Sequence, residues 1–460
     1  MKKYDAIVVG SGQAGTPLSK KLADAGLKTA LIEKRWVGGT CVNDGCSPTK
    51  AMISSAKVAW SVANSKKLGI ITGDFKVDIS AILKRKSDIV HMMRDNSEKG
   101  LLETKNLDLV YGSASFIAKN TISVILQDGS TQEFFADKIF INTGATPSIP
   151  EIDGLDEIDY LTSTSILELH EIPEHLLIIG GGYVGLEFGQ MYRRFGSKIT
   201  IAIQSERLLS KEDKDISDEM HKILTLEEID IRVKSKIISL KKTPQNIKVE
   251  IDTDGKISSF FCSHVLVATG RTPQTADLKL ELTGVKTDDK GHIEVNNRLE
   301  TSAEGIYALG DVKGGPAFTH IAFDDYRIIR KNLLEKGNIS TDGRIVPYCM
   351  FTDPQLGRVG ITEDEAREKG LEILVATMEN SSVARAIETG DERGMMKAIV
   401  DAKTGKILGA AVLGEEGGEI VTIIQMAMMG GITYHEIKDA VFAHPTYAES
   451  LNNLFTTLDA

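Results

Sequence analysis

Tyr4-Asp5-Ala6-Ile7-Val8-Val9-Gly10-Ser11-Gly12-Gln13-Ala14-Gly15 runs an apolar strand straight into a glycine turn. A helical segment to about Ala25 follows, stopped by Gly26, and residues 28–32 read as a second strand that ends at Glu33. Strand, G-x-G-x-x-G turn, helix, strand and terminal acid together make the dinucleotide unit of a doubly wound α/β domain. Gly10, Gly12 and Gly15 allow a tight turn and close backbone approach. The helix N-terminus faces a pyrophosphate, and Glu33 can accept hydrogen bonds from a ribose diol.

The pattern recurs. Leu176-Leu177-Ile178-Ile179 precedes Gly180-Gly181-Gly182-Tyr183-Val184-Gly185, then a helix to about Phe195 and a strand over residues 199–203. One such turn is weak evidence, because glycine turns also occur without a ligand. Two turns in the same strand–turn–helix setting imply two dinucleotides. Two further runs, Ile139-Phe140-Ile141-Asn142-Thr143-Gly144 and Val265-Leu266-Val267-Ala268-Thr269-Gly270, are apolar strands ending in Thr-Gly. They read as points where the chain crosses between nucleotide domains. Asp311 ends the apolar run Gly305-Ile306-Tyr307-Ala308-Leu309-Gly310, where it either hydrogen-bonds a ribityl chain or caps a loop.

Between the first unit and its neighbour lies Gly38-Gly39-Thr40-Cys41-Val42-Asn43-Asp44-Gly45-Cys46-Ser47-Pro48-Thr49-Lys50. Gly45 lets the chain bend enough to bring the two sulfurs together. Ser47 as N-cap and Pro48 as first helical residue put Cys46 at the positive end of a helix, where a thiolate is favoured. Zinc half-sites use closer spacings and need further ligands, which are not visible nearby, so no bound metal is expected. A flavin, a nicotinamide and a dithiol then lie on one electron path.

The 460 residues, 42% hydrophobic and 26% charged, are those of a globular protein of about three domains. The net charge of −11 argues against nucleic acid or an anionic membrane as partner. No stretch is apolar and long enough to span a bilayer, and the N-terminus enters a strand without a signal segment, so a cytoplasmic location is expected. Of four cysteines, Cys262 and Cys349 fall in strand-like runs and read as buried fillers. From about Arg344 the pattern becomes α+β, with strands at residues 396–400 and 407–412, a turn at Lys403-Thr404-Gly405 and an apolar helix over residues 420–429. Met426, Met428 and Met429 in that helix read as packing residues.

Ala443-His444-Pro445-Thr446-Tyr447-Ala448-Glu449 has two readings. Thr446 and Glu449 form a capping box for the last helix, or Glu449 orients His444 as a general acid–base pair. One carboxylate cannot serve both fully.

With both fingerprints, the C-x-x-x-x-C loop and the terminal His–Glu pair in this order, the chain resembles the class I pyridine nucleotide-disulfide oxidoreductases. These flavoproteins include dihydrolipoyl dehydrogenase, glutathione reductase and mercuric reductase. The resemblance implies two Rossmann-like domains, for FAD and NAD(P), plus a C-terminal α+β dimerisation domain. The expected boundaries are 1–148 for FAD, 149–270 for NAD(P), 271–343 for a segment completing the FAD domain, and 344–460 for the interface. It implies that Cys46 adjoins the flavin and Cys41 attacks substrate, that Lys50 and Glu187 pair near the flavin N5 edge, and that Tyr183 gates the nicotinamide pocket. His444 and Glu449 match an acid–base pair lent to the partner of a homodimer. Gly39, Thr40, Ala114, Thr143, Gly144, Ala317, Phe318 and Thr319 match flavin contacts, and Gly270 a nicotinamide contact.

Departures from the family pattern are informative. Asp44 and Ser47 stand where relatives usually carry aliphatic residues, which predicts a negative charge beside the thiols and discrimination against anionic disulfides. The run Gly314-Gly315-Pro316-Ala317-Phe318-Thr319-His320 is similar to a mercuric-reductase-like branch that includes the reactive-chlorine-resistance copper reductase. The usual C-terminal cysteine pair and N-terminal metal-carrying domain of mercury reducers are missing, which argues against mercury as the physiological substrate. At the second fingerprint, Ile203 and Gln204 replace the acid that would read a ribose diol, so a 2′-phosphate is not repelled. Arg207 and Lys211 can partly replace the arginines of glutathione reductase. Against this, Gly185 and the Gly-Leu-Glu run that it opens resemble NAD-using lipoyl enzymes, so the expected nicotinamide is NADPH or NADH, with the balance toward NADPH. The expected substrate is a small disulfide, or alternatively mercuric or cupric ion, and a non-catalytic flavin-binding redox sensor or complex subunit is the reading from another class.

Overall fold

The computed structural model describes residues 1–459, so Ala460, the last residue of the expected dimerisation segment, lies outside the described residues. The chain divides into two compact units: Met1–Ala51, Leu83–Ser148 and Arg271–Arg344 form the first, and Met52–Ile82, Ile149–Gly270 and Ile345–Ala460 the second.

The first unit is built on a sheet whose parallel strands run in the order Leu107–Ala118, Thr29–Glu33, Lys2–Val9, Thr131–Ile141, Ile306–Ala308. Thr121–Leu126 bridges the outer ends of Leu107–Ala118 and Thr131–Ile141 antiparallel to both. The central strands are covered on both faces, which explains their continuous apolar runs. One face packs Ile7, Ile32 and Ile139 against Phe116 and Phe134. The other packs Val8, Leu31 and Phe140 beneath Leu18 and Leu22 of the helix Gly15–Asp24 and Ile329 of the helix Thr319–Leu334. Gly26, at φ +89°, turns the chain out of the first helix where the sequence predicts its end.

In the second unit a five-stranded parallel sheet runs Asp230–Arg232, Lys198–Ala202, His175–Ile179, His264–Val267, Leu161–Thr162. An antiparallel sheet of Ser235–Lys242, Ile247–Thr253 and Lys256–Cys262 packs its apolar face against it through Ile237, Val249, Val265 and Val267. The C-terminal part of the unit is a five-stranded antiparallel sheet under the helix Gly417–Gly430. Its strands Met395–Asp401 and Ile407–Gly414 contain the two segments expected from sequence.

Two expectations need correction here. Met428 does pack against the C-terminal core, but Met426 and Met429 are exposed, because they lie on the helix face turned away from the sheet. Cys262 is fully buried, whereas Cys349 is only half-buried near the sheet edge, its sulfur directed toward Gln355 and the Met350 carbonyl.

Candidate active site

The first glycine turn is shaped by contacts that no side chain tolerates. Gly10 has φ +99°, and a Cβ there would lie 2.3 Å from the Asn142 carbonyl oxygen. A Cβ on Gly15 would lie 2.0 Å from the Gly10 carbonyl oxygen, and one on Gly39 2.7 Å from the Gly12 Cα. Asn142 ties the turn down: its Oδ1 accepts the Gly15 N–H at 2.8 Å, and its Nδ2 donates to the Leu309 carbonyl at 2.8 Å. Sequence reading treated Asn142 only as part of a crossing strand. Its polar side chain at the end of an apolar run was the available signal.

Glu33 is buried, with one oxygen accepting from Ser11 N–H at 2.9 Å and Ser11 Oγ at 2.6 Å, and the other from Arg35 N–H at 2.8 Å. The oxygen that accepts only from Arg35 keeps acceptor capacity for a ribose. Asp311 is held by a structure the sequence reading missed. Fully buried Asp325 accepts the Gly310 N–H at 2.9 Å and pairs with Arg344 at 2.9 Å and Lys313 at 3.2 Å, which fixes the 3₁₀ turn Gly310–Lys313. Burial raises the Asp311 carboxyl above its ordinary range, while Arg271 opposes the shift from 3.8 Å. Arg271 Nε is itself buried without a hydrogen-bond partner. A glycine cradle, a strand-end carboxylate, a buried second carboxylate and an unspent guanidinium N–H fit an FAD. Thr143, Gly144 and Gln274 are cross-linked by the bonds Thr143 Oγ1 to Gln274 O at 2.8 Å, Gln274 Nε2 to Thr143 O at 2.7 Å and Gln274 N to Gly144 O at 2.9 Å. Ala114 is half-buried in Leu107–Ala118 and packs against the same core.

Cys41 lies in the short helix Gly39–Asn43, with Thr40 beside it, and Cys46 begins the helix Cys46–Asn64. The helix therefore starts one residue before the expected Ser47 cap, its first turn closing with Thr49 N–H on the Gly45 carbonyl at 3.2 Å. Pro48 is accommodated because N–H groups of the first turn lack intrahelical partners anyway. Gly45 has the predicted role in the bend: a Cβ there would lie 2.8 Å from the Thr40 carbonyl oxygen. The Cys41 thiol is held well above its ordinary range, first by its hydrogen bond with Cys46 and then by burial, with Thr319 and Lys50 opposing. Cys46 is exposed, and its sulfur lies 3.5 Å from Thr319 Oγ1 at the N-terminus of the helix Thr319–Leu334. Phe318, just before that helix, stacks on His320 at 5.4 Å, and Ala317 is exposed. Lys50 is half-buried one turn after Cys46.

Asp44 does not behave as expected. It is buried and ion-paired with Arg35, and its Oδ1 has no hydrogen-bond partner. A buried carboxylate needs a compensating cation, and Arg35, nine residues upstream, supplies it. The argument for an anionic substrate mouth does not stand.

In the second unit, Gly180 (φ +120°) repeats the role of Gly10: its Cβ would lie 2.3 Å from the Ala268 carbonyl oxygen. A Cβ on Gly185 would lie 2.3 Å from the Gly180 carbonyl oxygen, whereas one on exposed Gly182 meets nothing, and the same holds for exposed Gly270. Ile203 is buried just past its strand and packs toward Gly181, and Gln204 is exposed. Arg207 donates to the Glu212 carbonyl at 3.2 Å, and its Nε is buried without a partner. Tyr183, first residue of the helix Tyr183–Phe195, donates its hydroxyl to Glu212 at 2.7 Å. Buried Glu187, one turn on, accepts the Phe351 N–H at 2.8 Å. His444 Nδ1 lies 2.9 and 3.0 Å from the two Glu449 oxygens. The Glu449 N–H donates to Thr446 Oγ1 at 3.2 Å, but Glu449 is itself the N-cap of the last helix, so this bond closes a turn before the helix and the expected capping box does not form, while the carboxylate serves the imidazole. The helix itself begins at Ser450.

Three carboxylates of this unit, Asp353, Asp391 and Glu415, lie within 4.8 Å of one another. Each meets a cation, Arg194 for Asp353, Arg393 for Asp391 and Lys57 for Glu415, which makes them an ion-pair network.

Two dinucleotide turns and a hydrogen-bonded dithiol define a flavoprotein reductase architecture. The chain belongs to the pyridine nucleotide-disulphide oxidoreductase family: the family's model matches residues 4–325 and that of its dimerisation domain residues 346–455. Members of this family use FAD and NAD(P)H and are oxidoreductases. The chain is 39% identical to the probable pyridine nucleotide-disulfide oxidoreductase RclA of Escherichia coli, over 99% of each chain. It is 36% identical to mercuric reductase of Staphylococcus aureus, over 99% of this chain and 82% of that one, and 34% identical to dihydrolipoyl dehydrogenase of Thermus scotoductus, over 98% and 96%. The solved Cu(II) complex of the HOCl-induced flavoprotein disulfide reductase RclA from Escherichia coli superposes with a TM-score of 0.91 at 38% identity, covering all of both chains. Among the described residues, no helix is long and apolar enough to cross a membrane.

Proposed function

We propose that this protein passes electrons from NAD(P)H through FAD and the Cys41–Cys46 pair to a small-molecule disulfide, as a cytoplasmic homodimer serving cell redox homeostasis. In this reading residues 1–148 and 271–343 hold FAD, 149–270 hold the nicotinamide, and 344–460 form the dimer interface. The observation that carries it is the hydrogen-bonded Cys41–Cys46 pair beside Thr319, on the same unit as the Gly10–Gly15 cradle.

FAD, when bound, supplies the change from hydride to dithiol chemistry. Gly10, Gly12, Gly15, Gly39 and Thr40 cradle it, Glu33 and Asp311 hold its sugar hydroxyls, and Ala114, Thr143, Gly144, Ala317, Phe318 and Thr319 border it. Cys46, exposed at a helix start, would adjoin it, with Lys50 one turn further along the same helix. Gly180, Gly182, Gly185, Tyr183 and Gly270 would receive the nicotinamide; Gln204 leaves a 2′-phosphate unrepelled and Arg207 partly replaces the missing arginines, which favours NADPH. Cys41 is the attacking thiol. Because hydrogen bonding and burial keep its proton on, attack needs a base. His444, exposed and oriented by Glu449, supplies that base to the reduced thiol pair of the partner subunit, taking the proton of the attacking thiol and returning it to the thiolate that leaves the substrate disulfide.

The Cu(II) complex of RclA and the likeness to mercuric reductases favour a second reading, in which the same two thiols ligate and reduce a soft metal ion. NADPH oxidation by the purified holoenzyme, measured against oxidised small thiols, cupric ion and mercuric ion, tests both. Turnover with a disulfide is expected; turnover with metal ions alone would replace the first reading by the second. A protein that binds flavin but oxidises no nicotinamide would be a sensor.

A further inference from the structure

Glu212 is a buried carboxylate that the proposed electron path does not use. Its Oε1 accepts two phenols at once, from Tyr183 at 2.7 Å and Tyr348 at 2.6 Å. The two rings lie 5.5 Å apart, tilted by 35°. Tyr348 comes from the strand Pro347–Met350, far from Tyr183 in sequence. The second oxygen, Oε2, has no hydrogen bond and faces Arg358 Nη1 at 3.7 Å. Arg358 is fully buried and pairs with Asp213, so Glu212 is fixed from behind by an immobile charge. Burial, followed by the Glu212 charge, drives both phenol pKa values up, so each stays a donor.

Tyr183 is the first residue of the helix that follows the Gly180–Gly182 turn. A dinucleotide pyrophosphate sits at that helix N-terminus, so the Tyr183 ring stands beside the path from pyrophosphate to nicotinamide. Tyr183 cannot move aside without giving up a charge-assisted hydrogen bond. The Glu212 backbone carbonyl also receives Arg207, so one loop carries both the anchor of the ring and an arginine proposed to meet a 2′-phosphate.

We propose that Glu212 is a positioning residue that latches Tyr183 across the nicotinamide path and thereby sets the affinity for the nucleotide. The inference rests on the nicotinamide reading of the second unit. A latch of this kind taxes binding by the fraction of molecules whose ring is out of the way, and so acts on KM rather than on kcat. Tyr348 shares the acceptor, and removing its hydroxyl leaves Oε1 to Tyr183 alone.

The test is steady-state NADPH oxidation by the FAD-loaded enzyme with a small quinone as acceptor, which bypasses the thiols. Tyr183→Phe keeps the ring and removes the bond, so KM for NADPH falls by about tenfold with kcat changed by less than about twofold. Glu212→Gln weakens the acceptor, and KM falls by about threefold. Tyr348→Phe does not lower KM. The double variant Tyr183→Phe/Glu212→Gln shows no further fall than Tyr183→Phe, because the bond is already gone. An unchanged KM in Tyr183→Phe, or an equal fall in Tyr348→Phe, overturns the latch. If Glu212→Gln does not fold, the two phenylalanine variants decide the matter. A wild-type flavin that neither NADPH nor NADH reduces overturns the nicotinamide reading itself.

Discussion

The two glycine turns share one backbone and differ in everything attached to it. Gly10 and Gly180 both have positive φ, and a Cβ on either would lie 2.3 Å from a strand-end carbonyl oxygen, that of Asn142 or Ala268. Gly15 and Gly185 each press on the first glycine of their own turn, a Cβ lying 2.0 Å from the Gly10 carbonyl oxygen and 2.3 Å from that of Gly180. Around the first turn, however, Asn142 bonds the helix start and the Leu309 carbonyl, and Glu33 bonds Ser11 and Arg35. Around the second, Ala268 has no side chain to reach the helix, and Ile203 offers only packing. Backbone approach to a pyrophosphate is thus common to both sites. Asn142 and Glu33 hold the first turn by its own backbone N–H groups, as suits a resident cofactor, whereas the second is tied through the Tyr183 side chain to Glu212 and by the Leu209 N–H on the Gly181 carbonyl.

The strongest way to break this comparison is to add a Cβ at the shared position. Gly10→Ala combines a left-handed backbone, costing about 1–2 kcal/mol, with a backbone clash worth about 1–3 kcal/mol. It should yield poorly folded, colourless protein. Gly180→Ala meets the same local penalty, but should remain yellow and lose flavin reduction by NADPH. Absorbance and single-turnover reduction separate the two.

Asn142→Ala is the next largest change. It strands the Gly15 N–H and the Leu309 carbonyl, at about 1–3 kcal/mol each, and should lower the melting temperature and release FAD on dilution. Ala268→Ser at the matching position should leave FAD content and melting temperature within error.

Ile203→Glu sharpens the comparison by giving the second turn the acid of the first. A carboxylate there should repel a 2′-phosphate and shift the kcat/KM ratio of NADPH to NADH at least about tenfold toward NADH, or ~1.4 kcal/mol. Equal ratios in variant and wild type would mean that Arg207, not the missing acid, sets the preference.

The smallest expected effect is at Asp311. Burial raises its carboxyl above the ordinary range, so its proton is bound more tightly folded than unfolded. Stability on this account falls as pH rises from the unfolded value through the folded one, and the penalty persists at neutral pH. Asp311→Asn should therefore raise the melting temperature of FAD-free protein slightly at pH 7 and leave it unchanged near pH 3, while weakening FAD retention.

Much of this was legible in the chain because it is local. The two turns, the Gly45 bend and the His444–Glu449 pairing each lie within a few residues, where spacing and backbone chemistry decide. What sequence missed is long-range and buried. Asn142 reaches Gly15 across 127 positions, and Glu212 gathers Tyr183 and Tyr348 from 29 and 136 positions away. Asp44 was misread for a related reason. Its spacing from the cysteines was plain, but burial and the Arg35 ion pair, which neutralise it, follow from packing.

The central claim, that the flavin's electrons pass to a Cys41–Cys46 disulfide through Cys46, is tested most directly by the long-wavelength absorbance of the enzyme. Wild-type protein titrated with two electrons from NADPH should develop a thiolate-to-flavin charge-transfer band. Cys41→Ser should show that band before any reduction, and Cys46→Ser should show none at any stage. A wild-type flavin that bleaches without the band, or a band that survives Cys46→Ser, would contradict it.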